Sequence, residues 1–327
     1  MFDIISLGGL IVEFIRPDVD MPLDEIYPIM GPYPSGASAI TISTAARLGL
    51  NAAFIGVSGD DFFGRNVAYR RMQDDGVNLD HVLITDKIAT GIAFVMYRSD
   101  GSRMFNYVSD YSAVTFDGVP EFELPGLPKS KWIHINGTLL GEKSIWKEYG
   151  VQVIDHILAG GGSLSFDTNF RPELMSLETA KSQYGSFIKK ARHFMPSEEE
   201  ALVYFETDSV EKAIERGLEM GPEVVCIKQG SKGCTVASRA EGPYQVPTFD
   251  GVKPVDPTGA GDSFNAAFIC AREKGLTLRD SAVFANAVGS FAVSKHGPMQ
   301  GSPTIDELRE LMEEYGALEV WEKAYPR

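Results

Sequence analysis

From Lys131 onward, short apolar runs alternate with longer segments of helical periodicity, and this alternation limits the fold more than any other feature of the chain. Residues 132–135, 163–167, 193–195 and 224–228 read as strands, and 146–158, 177–190, 198–205 and 210–220 read as helices. Strands joined by helices pair in parallel, because the crossover returns the chain to the same end of the sheet. Upstream, strands are predicted at 4–7 and 52–57, and helices over 43–48 and 63–75 stop at Gly49 and Gly76. Downstream, helices are predicted from near Gly261 to Glu273, over 278–294 and over 305–315. The expected class is α/β: a mostly parallel sheet flanked by helices, with ligand outside the carboxyl ends of the strands.

Two stretches break this pattern. Residues 16–34 are rich in proline and glycine, and residues 90–114 alternate across Ser99-Asp100-Gly101, a hairpin signal. Together they predict a small separate sheet. No internal repeat and no long linker divides the chain, so residues 1–327 are expected to form a single domain.

The formal net charge of −15 makes nucleic acid and membrane surfaces poor partners. An anionic substrate then needs a local positive site made by backbone dipoles, lysine, arginine or a metal. Cys226, Cys234 and Cys270 are odd in number and form no C-x-x-C pair, which argues against disulfide or zinc frameworks. The five histidines include no H-E-x-x-H. Residues 1–14 are apolar but carry Asp3 and no basic flank, and read as a first strand rather than a signal peptide. No run of about 18 apolar residues suggests a membrane helix. A cytoplasmic location is expected.

The segment Asp256-Pro257-Thr258-Gly259-Ala260-Gly261-Asp262-Ser263-Phe264 carries the chemistry. Pro257 delays the helix, and Gly259 and Gly261 permit tight turns and close ligand approach. The N–H groups of Gly259, Ala260 and Gly261 then fall at a helix N-terminus, which attracts anions. Asp262, inside such a site, suits a base that takes a proton from an attacking hydroxyl; the alternative is a plain helix cap. A dinucleotide fingerprint would need a third glycine where Phe264 stands, and no G-x-x-x-x-G-K-[ST] loop occurs.

This segment closely resembles the C-terminal signature of the ribokinase-like (PfkB) carbohydrate kinase family. The family's N-terminal signature is matched in order by Ser35-Gly36-Ala37-Ser38-Ala39, Arg47-Leu48-Gly49 and the glycine–aspartate run from Gly56 to Gly64. The resemblance implies a three-layer α/β/α domain with a β-sheet lid, formed here by about 12–34 and 90–114. It implies ATP and Mg²⁺ as cofactors, with K⁺ as a further candidate, a small sugar as substrate, and a homodimer through the lid. Asp262 then corresponds to the catalytic base, and Gly259, Ala260 and Gly261 to the anion hole. Glu13 corresponds to a sugar-binding aspartate, or is an exposed strand-end charge; Gly36 resembles the glycine that approaches the sugar. Ile40 stands where the family has an asparagine. Asn169 and Arg171 match a D-x-N-x-R segment between sugar and phosphates; the other reading of Arg171 is a surface side chain. Arg103, Asn106 and Tyr107 are candidate lid contacts. Ser197 and Glu200 match an N-x-x-E motif that organises Mg²⁺ through water, although acids there also favour a helix start. Lys228, Gly230 and Gly233 resemble the nucleotide-binding turn, and Asn286 an adenine-side residue or an ordinary polar position. Asp256 is placed near the family's monovalent cation.

Ser197 and Lys228 also resemble 2-keto-3-deoxygluconate kinases. Those enzymes pair the substrate carboxylate with a lid arginine, and here that place falls at Val108 or Ser109. Without that charge-assisted bond, a neutral ketohexose such as fructose or tagatose is expected. A sugar acid, a nucleoside acceptor and a non-catalytic sugar-binding homologue are the alternatives.

Overall fold

The structure, a computed structural model, describes residues 1–108, 126–140 and 146–326. In chain order it contains β1 (Phe2–Gly9), β2 (Ile11–Ile15), β3 (Met30–Ser35), α1 (Ala37–Arg47) and β4 (Ala52–Gly59). A π-helical turn at Gly64–Tyr69 runs on as α2 (Arg70–Asp74), followed by β5 (Asn78–Thr85), β6 (Gly91–Tyr97), β7 (Arg103–Val108) and β8 (Ser130–Asn136). Then come α3 (Trp146–Ala159), β9 (Ser163–Asp167), α4 (Leu177–Lys190), β10 (Ala191–Phe194), α5 (Glu198–Phe205) and α6 (Val210–Met220). The chain continues through β11 (Val224–Lys228), β12 (Cys234–Ser238), β13 (Tyr244–Val246), α7 (Ala260–Glu273), α8 (Leu278–Val293), α9 (Ile305–Glu314) and α10 (Leu318–Ala324).

Among the described residues nine strands make one sheet, ordered β13-β12-β11-β10-β9-β8-β1-β4-β5. Its pairs are parallel from β11 through β5, and antiparallel only at β11–β12 and β12–β13. Successive side chains leave opposite faces of a strand, so Ile4 and Phe54 pack with α1, α7 and α8, whereas Ile5 and Ile55 pack with α3, α4 and α6. The result is three layers, and the interior strands are apolar on both faces because helices cover both.

A second sheet, ordered β3-β2-β6-β7, is built from the two stretches that break the alternation. Residues 109–114 of the second stretch lie outside the described residues. Buried Arg16 gathers the loop between β2 and β3: its guanidinium donates to the carbonyls of Pro22, Glu25, Tyr27 and Pro28. Asp61, from the Gly56–Gly64 motif, ties the end of β4 to the start of β6. Its carboxylate accepts the Gly64 N–H at 2.9 Å and the Thr90 N–H and hydroxyl at 2.7 and 2.8 Å. That motif therefore anchors the small sheet to the large one.

Three expectations change. Helix α1 starts at Ala37 rather than at residue 43. Its Ser38, Thr41, Ser43 and Thr44 are weak helix formers, but they are buried, and tertiary packing overrides propensity. The helix expected over 63–75 divides into the π-helical turn and α2. Local periodicity does not reveal β5, β12, β13 or α10: β5 and β13 are sheet edges that carry polar residues such as Asp80 and Gln245, β12 is a short strand beside one edge, and α10 lies near the chain end. No helix among the described residues is long and apolar enough to cross a membrane.

Candidate active site

A cleft of about 940 Å³ opens at the carboxyl ends of β1, β9 and β11, beneath β2 and β7 of the small sheet. Its wall contains Glu13, Gly36, Arg103, Tyr107, Asn169, Arg171, Ser197, Glu200, Lys228, Gly230, Gly233, Asn286 and the whole Gly259–Asp262 turn. Asp256 lies immediately behind this wall, 1% exposed. Asn106 is corrected: it is exposed on the opposite face of the small sheet, beside Phe94 and Tyr27, because alternation sends it away from Phe105 and Tyr107.

Helix α7 starts at the wall of the cleft. Gly259 caps it with φ 77°, a left-handed conformation, and a Cβ there would lie 2.4 Å from the Pro298 carbonyl oxygen. Only glycine suits both conditions. The first helical bond runs from the Ser263 N–H to the Gly259 carbonyl at 2.9 Å. Of the N–H groups before it, that of Ala260 reaches the Pro257 carbonyl at 3.4 Å, while those of Gly261 and Asp262 precede the first helical bond and stand at the cleft wall, at the positive end of the dipole. Thr41 of α1 donates to the Asp262 carbonyl at 3.3 Å, and Ser263 bonds Thr44 at 3.3 Å, so α1 fixes this turn from below.

The Asp262 carboxylate is half-buried and open to the cleft, and accepts from the Asn169 side chain at 3.3 Å. Its pKa is pushed up to about 7, chiefly by burial and then by the Asp167 charge, against the pull of Lys228, Arg171 and Arg103. Asn169, with φ 33°, also reaches Asn136 at 3.2 Å. Sequence reasoning missed Asn265. It lies one helical turn after Asp262, and its amide donates to Asp167 at 2.6 Å. The i, i+3 spacing was a usable signal.

Glu13 is 5% exposed, which rules out an exposed strand-end charge. One of its oxygens accepts the Ser35 hydroxyl at 2.6 Å, and the other is buried without a partner. Burial raises its pKa to about 7 despite that bond. Arg171 is no simple surface side chain: it donates to the Phe170 carbonyl at 2.8 Å and rests 5.5 Å from the Phe105 ring centroid. Arg103 lies 5.4 Å from the same ring, and burial together with the Arg171 charge lowers its pKa.

Among the residues expected to meet a nucleotide, several are already engaged within the protein. Lys228 donates to Asp167 at 2.5 Å and to Asn265 at 3.2 Å. Asn286 spends its amide hydrogens on the carbonyls of Val246 and Pro247, at 2.9 and 3.1 Å, so it holds the strand end and offers the cleft only its oxygen. Ser197 and Glu200 form a capping box at the start of α5. Glu200 accepts the Thr168 hydroxyl and the Phe170 and Ser197 N–H groups, at 2.8, 2.7 and 3.0 Å. The residue expected to serve Mg²⁺ thus also shapes the turn that carries Asn169 and Arg171.

Among the described residues no three acidic, histidine or cysteine side chains form a metal cage. The Glu200 carboxylate, expected near Mg²⁺, already accepts three hydrogen bonds, which suits contact with an ion through water rather than direct ligation. A monovalent cation on Asp256 fits less well. The Asp256 carboxylate already accepts the Tyr97 hydroxyl, the Thr258 N–H at 2.9 Å and the Gly297 N–H at 2.8 Å.

Comparison with known proteins agrees with this geometry. A family model described as pfkB family carbohydrate kinase matches residues 1–305. Fructokinase-1 of Zea mays is 30% identical over 320 residues, covering 95% of this chain and 97% of its own length. Fructokinase-1 of Oryza sativa subsp. japonica is 29% identical over 320 residues, with the same shares covered. Among solved structures, a candidate ribokinase II from E. coli in complex with ATP and Mg²⁺ aligns with a TM-score of 0.84 at 30% identity, covering 96% of this chain and 100% of its own. A Vibrio cholerae O395 fructokinase with fructose, ADP and calcium shares the fold, with a TM-score of 0.79 at 24% identity over 94% of this chain and 98% of its own. The chain therefore belongs to the pfkB family of carbohydrate kinases, phosphotransferases that act on a sugar hydroxyl.

Proposed function

We propose that the chain transfers the γ-phosphoryl group of ATP to a hydroxyl of a ketohexose, fructose foremost, with Asp262 as the base. The observation that carries this reading is the position of Asp262: a carboxylate that titrates near neutrality, in the first turn of α7, beside N–H groups with no helical partner. The acceptor hydroxyl hands its proton to Asp262 as its oxygen attacks phosphorus. The Gly259–Gly261 N–H groups stabilise charge on the transferring group, and Arg171 adds a fixed positive charge from across the cleft. When bound with ATP, Mg²⁺ would supply charge neutralisation of the phosphates. Glu13 and Tyr107 face the acceptor, and the small sheet acts as the lid that excludes water. The fructokinase relatives support fructose as the acceptor.

One observation favours a second reading. Arg103 forms no ion pair among the described residues. A sugar acid would give it a carboxylate partner.

The lid's outer face is also apolar. Phe14 stacks on Phe94 at 5.6 Å beside Phe63, while Ile26, Ile29 and Val108 stand exposed. A homodimer through this face would cover it.

The test is coupled ADP release over ketohexoses, aldoses, sugar acids and nucleosides. Fructose should give the highest kcat/KM, and Asp262→Asn should lower kcat by about 10²–10⁴ while ATP still binds. A sugar acid as best acceptor would replace the first reading by the second. No acceptor-dependent ADP release at all would remove both.

A further inference from the structure

Tyr97 ends β6 of the small sheet and stands opposite Arg103 in the β6–β7 pairing. Its hydroxyl crosses to the segment that leads into α7, where it donates to Asp256 and shares a second hydrogen bond with the Thr258 hydroxyl. Asp256 and Thr258 lead directly into the Gly259 cap of α7. The Asp256 carboxylate is 1% exposed and pairs with no lysine or arginine among the described residues, so it depends on hydrogen-bond donors alone. Its remaining donors are the N–H groups of Thr258 and Gly297, and Gly297 itself lies beneath the Tyr33 ring of β3: a Cβ there would sit 2.5 Å from Tyr33 Cδ1. Next in line, Gly259 lies against the Pro298 carbonyl. The two segments at 256–259 and 297–298 thus pack as one unit, and the small sheet is hydrogen-bonded to that unit through Tyr97.

We propose that Tyr97 is a positioning residue that holds the anion-binding turn of α7 in register with the small sheet. Acceptor contacts made by Glu13, Arg103 and Tyr107 on the sheet are thereby set relative to phosphoryl contacts made by the turn. Sequence inspection gives Tyr97 no role, since it reads as one more aromatic residue in an alternating strand. The proposal rests on the kinase reading for its catalytic consequence but not for its structural one.

Two measurements test it. In hydrogen exchange on the ligand-free protein, Tyr97→Phe keeps the ring and removes the donor. Amides at 258–262 should exchange about ten- to a hundred-fold faster, the range expected for a lost hydrogen bond to a charged group, while β1 and β4 stay unchanged. In ADP release, kcat should fall over the same range with KM for ATP within about threefold, and ADP should exceed sugar phosphate formed because transfer and closure are uncoupled. Tyr33→Phe, which keeps its ring over Gly297, should match wild type in both. In an Asp256→Asn background the Tyr97→Phe change should add little, because the buried charge is gone. Unchanged exchange at 258–262, equal acceleration in β1 and β4, or an equal effect of Tyr33→Phe would each overturn the proposal. Should Tyr97→Phe fail to fold, Thr258→Val removes the other hydroxyl of the contact, and the same exchange pattern decides. If wild type releases no ADP with any acceptor, the kinase reading fails, and exchange alone still judges the contact.

Discussion

Asp262 and Glu13 both sit in surroundings that disfavour their charge, and the sign of that shift has two consequences for Asp262. As a base it works deprotonated, so kcat/KM should rise about tenfold per pH unit below about 7 and level off above it. A profile flat from pH 5.5 to 8.5 would remove Asp262 from the role. For stability, a folded-state pKa above the ordinary carboxylate value means that the folded state holds the proton more tightly. Its contribution is fully favourable below about pH 4 and is lost as pH rises through about 7. Asp262→Asn should therefore stabilise the protein by about 1–2 kcal/mol at pH 8 and by almost nothing at pH 4, the modest figure reflecting a group open to the cleft. Thermal melts at the two pH values read this directly. At Glu13, loss of the carboxylate with its unpartnered oxygen should appear as binding: Glu13→Gln should raise the acceptor KM about tenfold with a smaller change in kcat. The identity of both acids was legible in the sequence. Their pKa values were not, because they arise from burial and from charges such as Asp167 and Arg171 that come from other elements.

At the scale of the element, α7 shows what local sequence can specify. Pro257, Gly259 and the acid in the first turn mark a helix start, and the helix begins there. Gly259→Ala should destabilise by about 2–4 kcal/mol and lower kcat more than tenfold, since it combines φ 77° with a 2.4 Å approach to the Pro298 carbonyl. Denaturant unfolding with parallel kinetics checks it, and wild-type values in both would refute the strain argument. Helix α5 is similar: its start at Ser197 was legible as an acidic helix N-terminus, and the capping box explains that residue without any ligand. By contrast the true start of α1 was hidden, since its serines and threonines are tolerated because they are buried against neighbouring elements, where several hydroxyls find partners. Thr44, for example, bonds Ser302 at 2.8 Å.

At the scale of the molecule, the cleft exists because two sheets face one another, and the small sheet has a second face to account for. If that face pairs between copies, sedimentation should show a dimer, and Phe94→Glu should give a monomer, since it places a charge in the Phe14–Phe94 stack. A wild-type monomer at micromolar concentration would refute the dimer. The existence of the small sheet was legible from the two stretches that break the βα alternation. Which side of it faces the cleft was not: Tyr107 and Asn106 are chain neighbours, and only docking onto the large sheet puts the first in the cleft and the second outside.

By itself the sequence determined the α/β class, the order of the main strands and helices, and the glycine turn at Gly259–Asp262 that starts α7. These rest on periodicity, glycine placement and helix starts, which act over a few residues. Tertiary structure alone decided the partners: Lys228 on Asp167, Asn286 on the end of β13, and Tyr97 on Asp256, a contact across 159 residues. A side chain's partner depends on which surfaces folding brings together, and no local pattern encodes that meeting.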